Sequence, residues 1–81
     1  MKVVDRKMVS YNPVIGEWET TIEATWEEIA EFNKALNVVN RFKDLAMAEH
    51  KIREENADWT MFNYNQEENK MIVTIKQGMC G

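Results

Sequence analysis

Few side chains in this 81-residue chain have the types and spacing that chemistry requires. His50, the single histidine, precedes Glu54 by four residues, and such a pair on a helix can supply two metal ligands. Zinc needs at least three ligands from protein, so we expect His50 to be a solvated surface side chain. Cys80, the single cysteine, has no base near it in sequence to activate its thiol, and we expect it to be incidental or oxidisable between molecules. These residues predict no enzyme, no cofactor and no metal site.

The strongest functional lead is a run of glutamates. No Lys or Arg occurs between Met8 and Asn33, and this stretch holds six glutamates, whereas the rest of the chain holds eight acids and ten bases. A contiguous negative patch would attract a basic protein and could take the place of a nucleic-acid backbone in a basic groove. In the alternative interpretation the glutamates favour the helix dipole and keep an exposed strand soluble. The predicted partner-binding residues are Glu17, Glu19, Glu23, Glu27, Glu28 and Glu31.

Four strands are predicted from alternation and composition. Apolar and polar side chains alternate in KVVDRKMVSY, residues 2–11, and more regularly in EWETTIEA, residues 17–24. Between them, Pro13 and Gly16 favour a turn. In the last third, DWTMFNY and KMIVTIKQ, residues 58–64 and 70–77, flank the polar stretch NQEEN and predict a hairpin.

The middle of the chain predicts a helix. TWEE from Thr25 is a capping box, and apolar residues recur every three or four positions from Ile29 to Ala46. A continuous helix from Trp26 to Glu55 would be about 45 Å long, which exceeds the roughly 30 Å diameter of a compact domain of this size. We therefore expect this helix to bend or break near residues 37–40, or its second half to project from the body.

The predicted fold is a single α+β domain, residues 1–81. It has an antiparallel sheet of about four strands, in the order ββαββ, with one long central helix, bent or broken, on one face. A projecting helix half would need a partner, and both faces of the third strand carry large apolar groups. Self-association is therefore the alternative function, with the acidic face only keeping the protein soluble. The predicted homodimer contacts are Phe42, Leu45, Ile52, Trp59 and Met61.

A third and more distant alternative is a binder of single-stranded nucleic acid. Trp59, Phe62 and Tyr64 on one strand could stack bases, but core or interface packing is the better explanation for them. The sequence pI of about 4.9 is the opposite of the usual electrostatic footprint of a nucleic-acid binder. We therefore expect no direct nucleic-acid contact.

Composition narrows the class of protein further. The net charge of −4, the single cysteine and the absence of a long apolar run predict a soluble cytoplasmic protein without membrane contact. With only three glycines there is neither a phosphate-binding loop nor a dinucleotide fingerprint. In size, acidity and lack of a catalytic constellation the chain resembles the accessory inhibitors that phages and mobile elements encode, a resemblance of type that rests on no motif. We thus expect a non-enzymatic inhibitor or modulator of a larger protein that handles nucleic acid.

Overall fold

The computed structural model describes residues 1–79, so the prediction for Cys80 concerns a residue outside the described range. The elements in chain order are β1 (Lys2–Tyr11), β2 (Ile15–Glu23), α1 (Trp26–Phe32), α2 (Leu36–His50), a 3₁₀ turn (Glu54–Asn56), β3 (Trp59–Glu67) and β4 (Lys70–Gly78). The four strands form one antiparallel sheet in the order β1-β2-β4-β3. The α+β class and the four-stranded antiparallel sheet are therefore confirmed.

The two faces of the sheet have different environments. In the central strand β2, Trp18, Thr20 and Ile22 are buried, whereas the alternate side chains are half-buried or exposed. The central strand β4 alternates in the same way and buries Met71, Val73 and Ile75. This period of two arises because helices cover only one face. We call the sides of the sheet the helix-covered face and the open face.

The region predicted as one long helix, bent or broken, is two separate helices, the longer of 15 residues. The chain leaves helical geometry after Phe32, and Ala35 is extended, with φ −135° and ψ 117°, before α2 begins. The break brings the Phe32 ring to 5.7 Å from Phe42 and 5.1 Å from Tyr64, both edge-on, so it closes the core above β3. The break therefore lies before the predicted site at residues 37–40, and two helices separate β2 from β3.

The C-terminal end of α2 is also earlier than predicted. Lys51 adopts left-handed geometry, with φ 55°, and its amide donates to the Ala48 carbonyl. The Ile52 amide donates to the Met47 carbonyl, which completes a Schellman motif. The motif ends the 15-residue α2 at His50 and returns the chain toward the sheet. Because α2 packs across the helix-covered face, no half of the predicted helix projects into solvent.

The core lies between α2 and the helix-covered face. Its fully buried side chains come from α2, β2 and β4, and α1 adds Ile29. The N-terminus of α1 is fixed by the predicted capping box: the Glu28 amide donates to Thr25 Oγ1 at 3.1 Å, and the Thr25 amide donates to Glu28 Oε1 at 3.0 Å. The structure thus confirms Thr25 as the start of the helical region.

Candidate functional site

The structure divides the six predicted partner-binding glutamates between the two sides of the sheet. Glu17 and Glu19 lie on the open face of β2, where each faces a lysine. The distances are 3.8 Å from Lys76 Nζ to Glu17 Oε1 and 3.9 Å from Lys7 Nζ to Glu19 Oε1. The lysines come from both neighbouring strands because β2 lies between β1 and β4. These two glutamates therefore contribute little net negative charge.

The Glu28 carboxylate also forms its hydrogen bonds and ion pairs within the fold. Besides its capping bonds, its carboxylate lies 3.4 Å from Arg41 Nη2 and 3.5 Å from the Met1 amino group. The bond from the Thr25 backbone amide is the main cause of a Glu28 pKa below its ordinary value. The charge of Glu28 therefore stabilises the start of α1 and balances nearby cations.

The other three predicted glutamates are exposed and form no ion pair within residues 1–79. Glu23 ends β2, while Glu27 and Glu31 lie one turn apart on α1. The turn between β3 and β4 is held beside them, because the Ala24 amide donates to the Asn69 carbonyl at 2.9 Å. Glu67 at the end of β3 and Glu68 in the turn are two further exposed acids, and neither is among the predicted partner-binding residues. We define the acid end as Glu23, Glu27, Glu31, Glu67 and Glu68, with Lys2 and Lys70 beside Glu23 in the strand register.

The opposite end of the sheet carries an uncharged groove on the helix-covered face. It has a volume of about 170 Å³, and none of the residues that line it within 1–79 is acidic or basic. The Trp18 ring forms the floor and lies over Gly16, where an added Cβ would come within 2.4 Å of the ring. The rim is exposed and apolar, with Tyr11 at 69%, Val14 at 54% and Met79 at 49% exposure. We define the Trp18 groove by Tyr11, Val14, Trp18, Ala57 and Met79.

Local hydrogen bonds fix both walls of the Trp18 groove. Asn12 Oδ1 accepts from the amides of Val14 and Ile15, at 2.9 and 2.8 Å. The Met79 amide donates to the Val14 carbonyl at 2.9 Å, which fastens the turn to the end of β4. On the other wall, Gln77 Nε2 donates to the Arg53 carbonyl at 2.9 Å and holds the segment that carries Ala57. The groove is therefore preformed.

The sequence contained one signal of this groove. The stretch from Met8 to Gly16 has no charged residue, but its sequence predicted only the end of a strand, a turn and part of the region that lacks bases. The opposite wall, at Asn56 and Ala57, is far away in sequence and becomes a neighbour only through folding. Periodicity alone could not have revealed it.

The predicted self-association residues do not form one exposed surface. Phe42 lies fully buried in the core, while Leu45 and Ile52 pack partly buried against it, because α2 covers the sheet. Trp59 is half-buried, and its indole covers Gly78. Only Met61, on the open face and 62% exposed, is freely accessible. Phe42 therefore cannot contact a partner in this fold.

The aromatic residues of β3 do not share a face. Phe62 and Tyr64 point to the helix-covered face and pack against the core, and Lys43 Nζ lies 5.4 Å from the centre of the Phe62 ring. Side chains alternate between the two faces along a strand, and Trp59 is an odd number of positions from Phe62 and Tyr64. It therefore lies on the open face. The three rings thus form no common stacking platform, and core packing accounts for two of them.

His50 is part-buried rather than solvated, which corrects the prediction for this residue. Its Nε2 lies 3.1 Å from the Glu19 carbonyl oxygen, so this nitrogen must carry the proton that it donates. Glu54, which follows His50 by four residues, pairs instead with Lys43 at 3.2 Å. Within residues 1–79, no group of three or more His, Cys, Asp or Glu side chains is placed to hold a metal ion.

Among the described residues, no helix has the length and apolar character needed to cross a membrane. Comparison with protein-family models, with curated proteins and with solved structures finds no match to this chain.

Proposed function

We propose that this chain is a non-enzymatic interaction protein that binds and modulates a larger protein, with the Trp18 groove as its anchoring contact. The observation that carries the proposal is the exposed apolar rim of Tyr11, Val14 and Met79 around a preformed, uncharged groove. Exposed apolar patches on small domains commonly mark protein interfaces. The volume of about 170 Å³ is below the roughly 300–1,000 Å³ of small-molecule sites and suits a single apolar side chain of a partner.

The acid end would give this interaction its charge preference. Glu23, Glu27 and Glu31 have no ion-pair partner within residues 1–79 and would attract a partner with a basic surface. A basic nucleic-acid groove on the partner is one such surface, and occupying it would inhibit that partner. Binding at the Trp18 groove would remove apolar surface from water, whereas the acid end would attract a basic partner electrostatically. Salt should therefore weaken the contribution of the acid end more than that of the groove.

The proposal is tested by capture of the tagged protein's partners from a bacterial lysate at low and moderate salt. We expect one protein to bind stoichiometrically and Val14→Lys to abolish its capture at both salt concentrations, because a charge then lies at the apolar rim. Leu36→Lys, which also replaces an exposed aliphatic residue but lies at the start of α2, is the matched control. Equal capture by the two variants would refute the groove as the anchor.

The acid end is tested in the same assay. Reversal of Glu23, Glu27 and Glu31 to Lys should reduce capture at low salt more than at moderate salt, while the far-UV spectrum stays native. The control reverses three exposed acids elsewhere, Asp44, Glu54 and Glu55. If both triple variants lose capture equally, net charge rather than the acid end determines binding.

A further inference from the structure

We propose that β1 is a self-complementary edge through which two copies of this chain pair antiparallel into one continuous sheet. β1 is ten residues long, lies at an edge of the sheet, and all its residues except the half-buried Val3 are exposed. An edge strand presents a row of backbone donors and acceptors that a further strand can use. A strand of this length therefore offers a docking surface, and its charges specify the partner as a second copy.

The charges on β1 select one register. Asp5 and Lys7 both lie on the open face, since they pair with Thr21 and Glu19 of β2. Directly opposite residues of an antiparallel pair share a face. A two-fold axis at Arg6 therefore places Asp5 of each copy opposite Lys7 of the other, which forms two opposite-charge pairs. Moving the axis by one residue places either two Asp5 or two Lys7 side chains opposite each other, and like charges in that position are destabilising.

Arg6 itself does not oppose this register. It lies on the helix-covered face, opposite Thr20 of β2, and its Nη1 is 2.6 Å from Glu49 Oε1 of α2. The two Arg6 side chains at the axis would thus each carry a carboxylate partner from their own copy, which largely cancels their repulsion.

The same register covers exposed apolar side chains. Val4 and Met8, which are 42% and 59% exposed, would lie opposite each other across the interface, twice per dimer. Irregularities in the pairing with β2 occur next to Val4 and Val9, so the segment from Asp5 to Met8 is regular and carries the charge pairs. The other edge strand, β3, lacks any basic residue and cannot form such pairs with its own copy.

The proposal is tested by sedimentation velocity over a micromolar to millimolar concentration series. We expect the wild type to dimerise, and D5K and K7D each to raise the dissociation constant about 30- to 100-fold, because each replaces two attractive pairs by two repulsive ones. An equimolar mixture of D5K and K7D should form a heterodimer, and the double variant D5K/K7D should dimerise again. The control D44K makes the same charge change as D5K at an exposed position of α2 and should dimerise like the wild type.

Two results would overturn the proposal. A wild type that is monomeric up to millimolar concentration would mean that the charges of β1 protect the edge from pairing. Dimers of unchanged stability in D5K would place the contact elsewhere. The new carboxylate of K7D faces Glu19, so this variant could fail to fold. In that case D5K alone tests the proposal, because Asp5 faces the uncharged Thr21. Far-UV spectra of each variant verify the fold.

Discussion

The hydroxyl of Thr20 provides the sharpest test of how the core is packed. Thr20 is 0% exposed on the helix-covered face of β2, and its Oγ1 has no hydrogen-bond partner among residues 1–79. A buried hydroxyl without a partner costs about 1–3 kcal/mol of stability. Replacement by valine removes that cost and adds a buried methyl group worth about 0.8 kcal/mol. Imperfect fit of the new methyl group reduces the gain, so we expect Thr20→Val to stabilise the protein by about 1–2 kcal/mol.

The assay is urea and thermal unfolding followed by circular dichroism. A gain of this size should raise Tm by about 5–10 °C in a domain of this length, with the urea m-value unchanged. Thr21→Val, one residue further on the open face, is the matched control, because Thr21 is only half-buried. We expect the control to change stability by less than about 0.5 kcal/mol.

The reasoning would be refuted if Thr20→Val lowered the midpoint of unfolding. That result would mean that the hydroxyl makes a hydrogen bond in solution, and Thr20→Ser, which keeps the hydroxyl but loses the methyl group, would then be the less damaging substitution. If the hydroxyl is unpaired, Thr20→Ser should be the most destabilised of the three variants.

Two further predictions concern the helix ends. Lys51→Gly should stabilise the protein by about 0.5–1 kcal/mol, because Lys51 holds a positive φ of 55° that suits glycine. Ala48→Gly within α2 should destabilise the protein by a similar amount. Urea unfolding measures both changes, and a Lys51→Gly variant that is not stabilised would contradict the assigned end of α2. Glu28 has a folded-state pKa below its ordinary value of 4.5, so its charged form stabilises the fold above that pH and the contribution is lost as pH falls through the folded pKa. The stability difference between wild type and Glu28→Gln should therefore be largest near neutral pH and shrink below about pH 4, and a pH-independent difference would refute this.

Local patterns were sufficient for the elements but not for their junctions. The four strands and the start at Thr25 follow from alternation and from a capping box, which depend on near neighbours in sequence. The break after Phe32 depends on Tyr64, a contact between distant parts of the chain. Asn37 and Asn40, where we expected the break, remain within α2 because Val38 between them is buried in the core. Tertiary packing thus overrode local propensity.

The candidate site, too, could be predicted only in part from the sequence. Composition correctly indicated six glutamates without neighbouring bases in sequence, but Lys7 and Lys76 reach Glu19 and Glu17 only because β2 lies between β1 and β4. Strand order was not predictable from the pattern. The six glutamates consequently form a less negative surface than their spacing in sequence suggests. The uncharged Trp18 groove at the opposite end of the sheet is therefore the stronger candidate for a binding surface.

Pairing through β1 would change what the Trp18 groove can do. A two-fold axis at Arg6 is perpendicular to the joined sheet, so both copies present their helix-covered faces, and hence both grooves, on the same side. Tyr11 of the two copies would be separated by about ten residues, or roughly 33 Å, along the strand direction. A partner that offers two apolar contacts at that spacing would bind a dimer with much greater avidity than a monomer, since the second contact forms at a high effective concentration. Asp5→Lys should then weaken capture of such a partner although Asp5 is not part of the groove, and unchanged capture by a verified monomer would show that each groove acts alone.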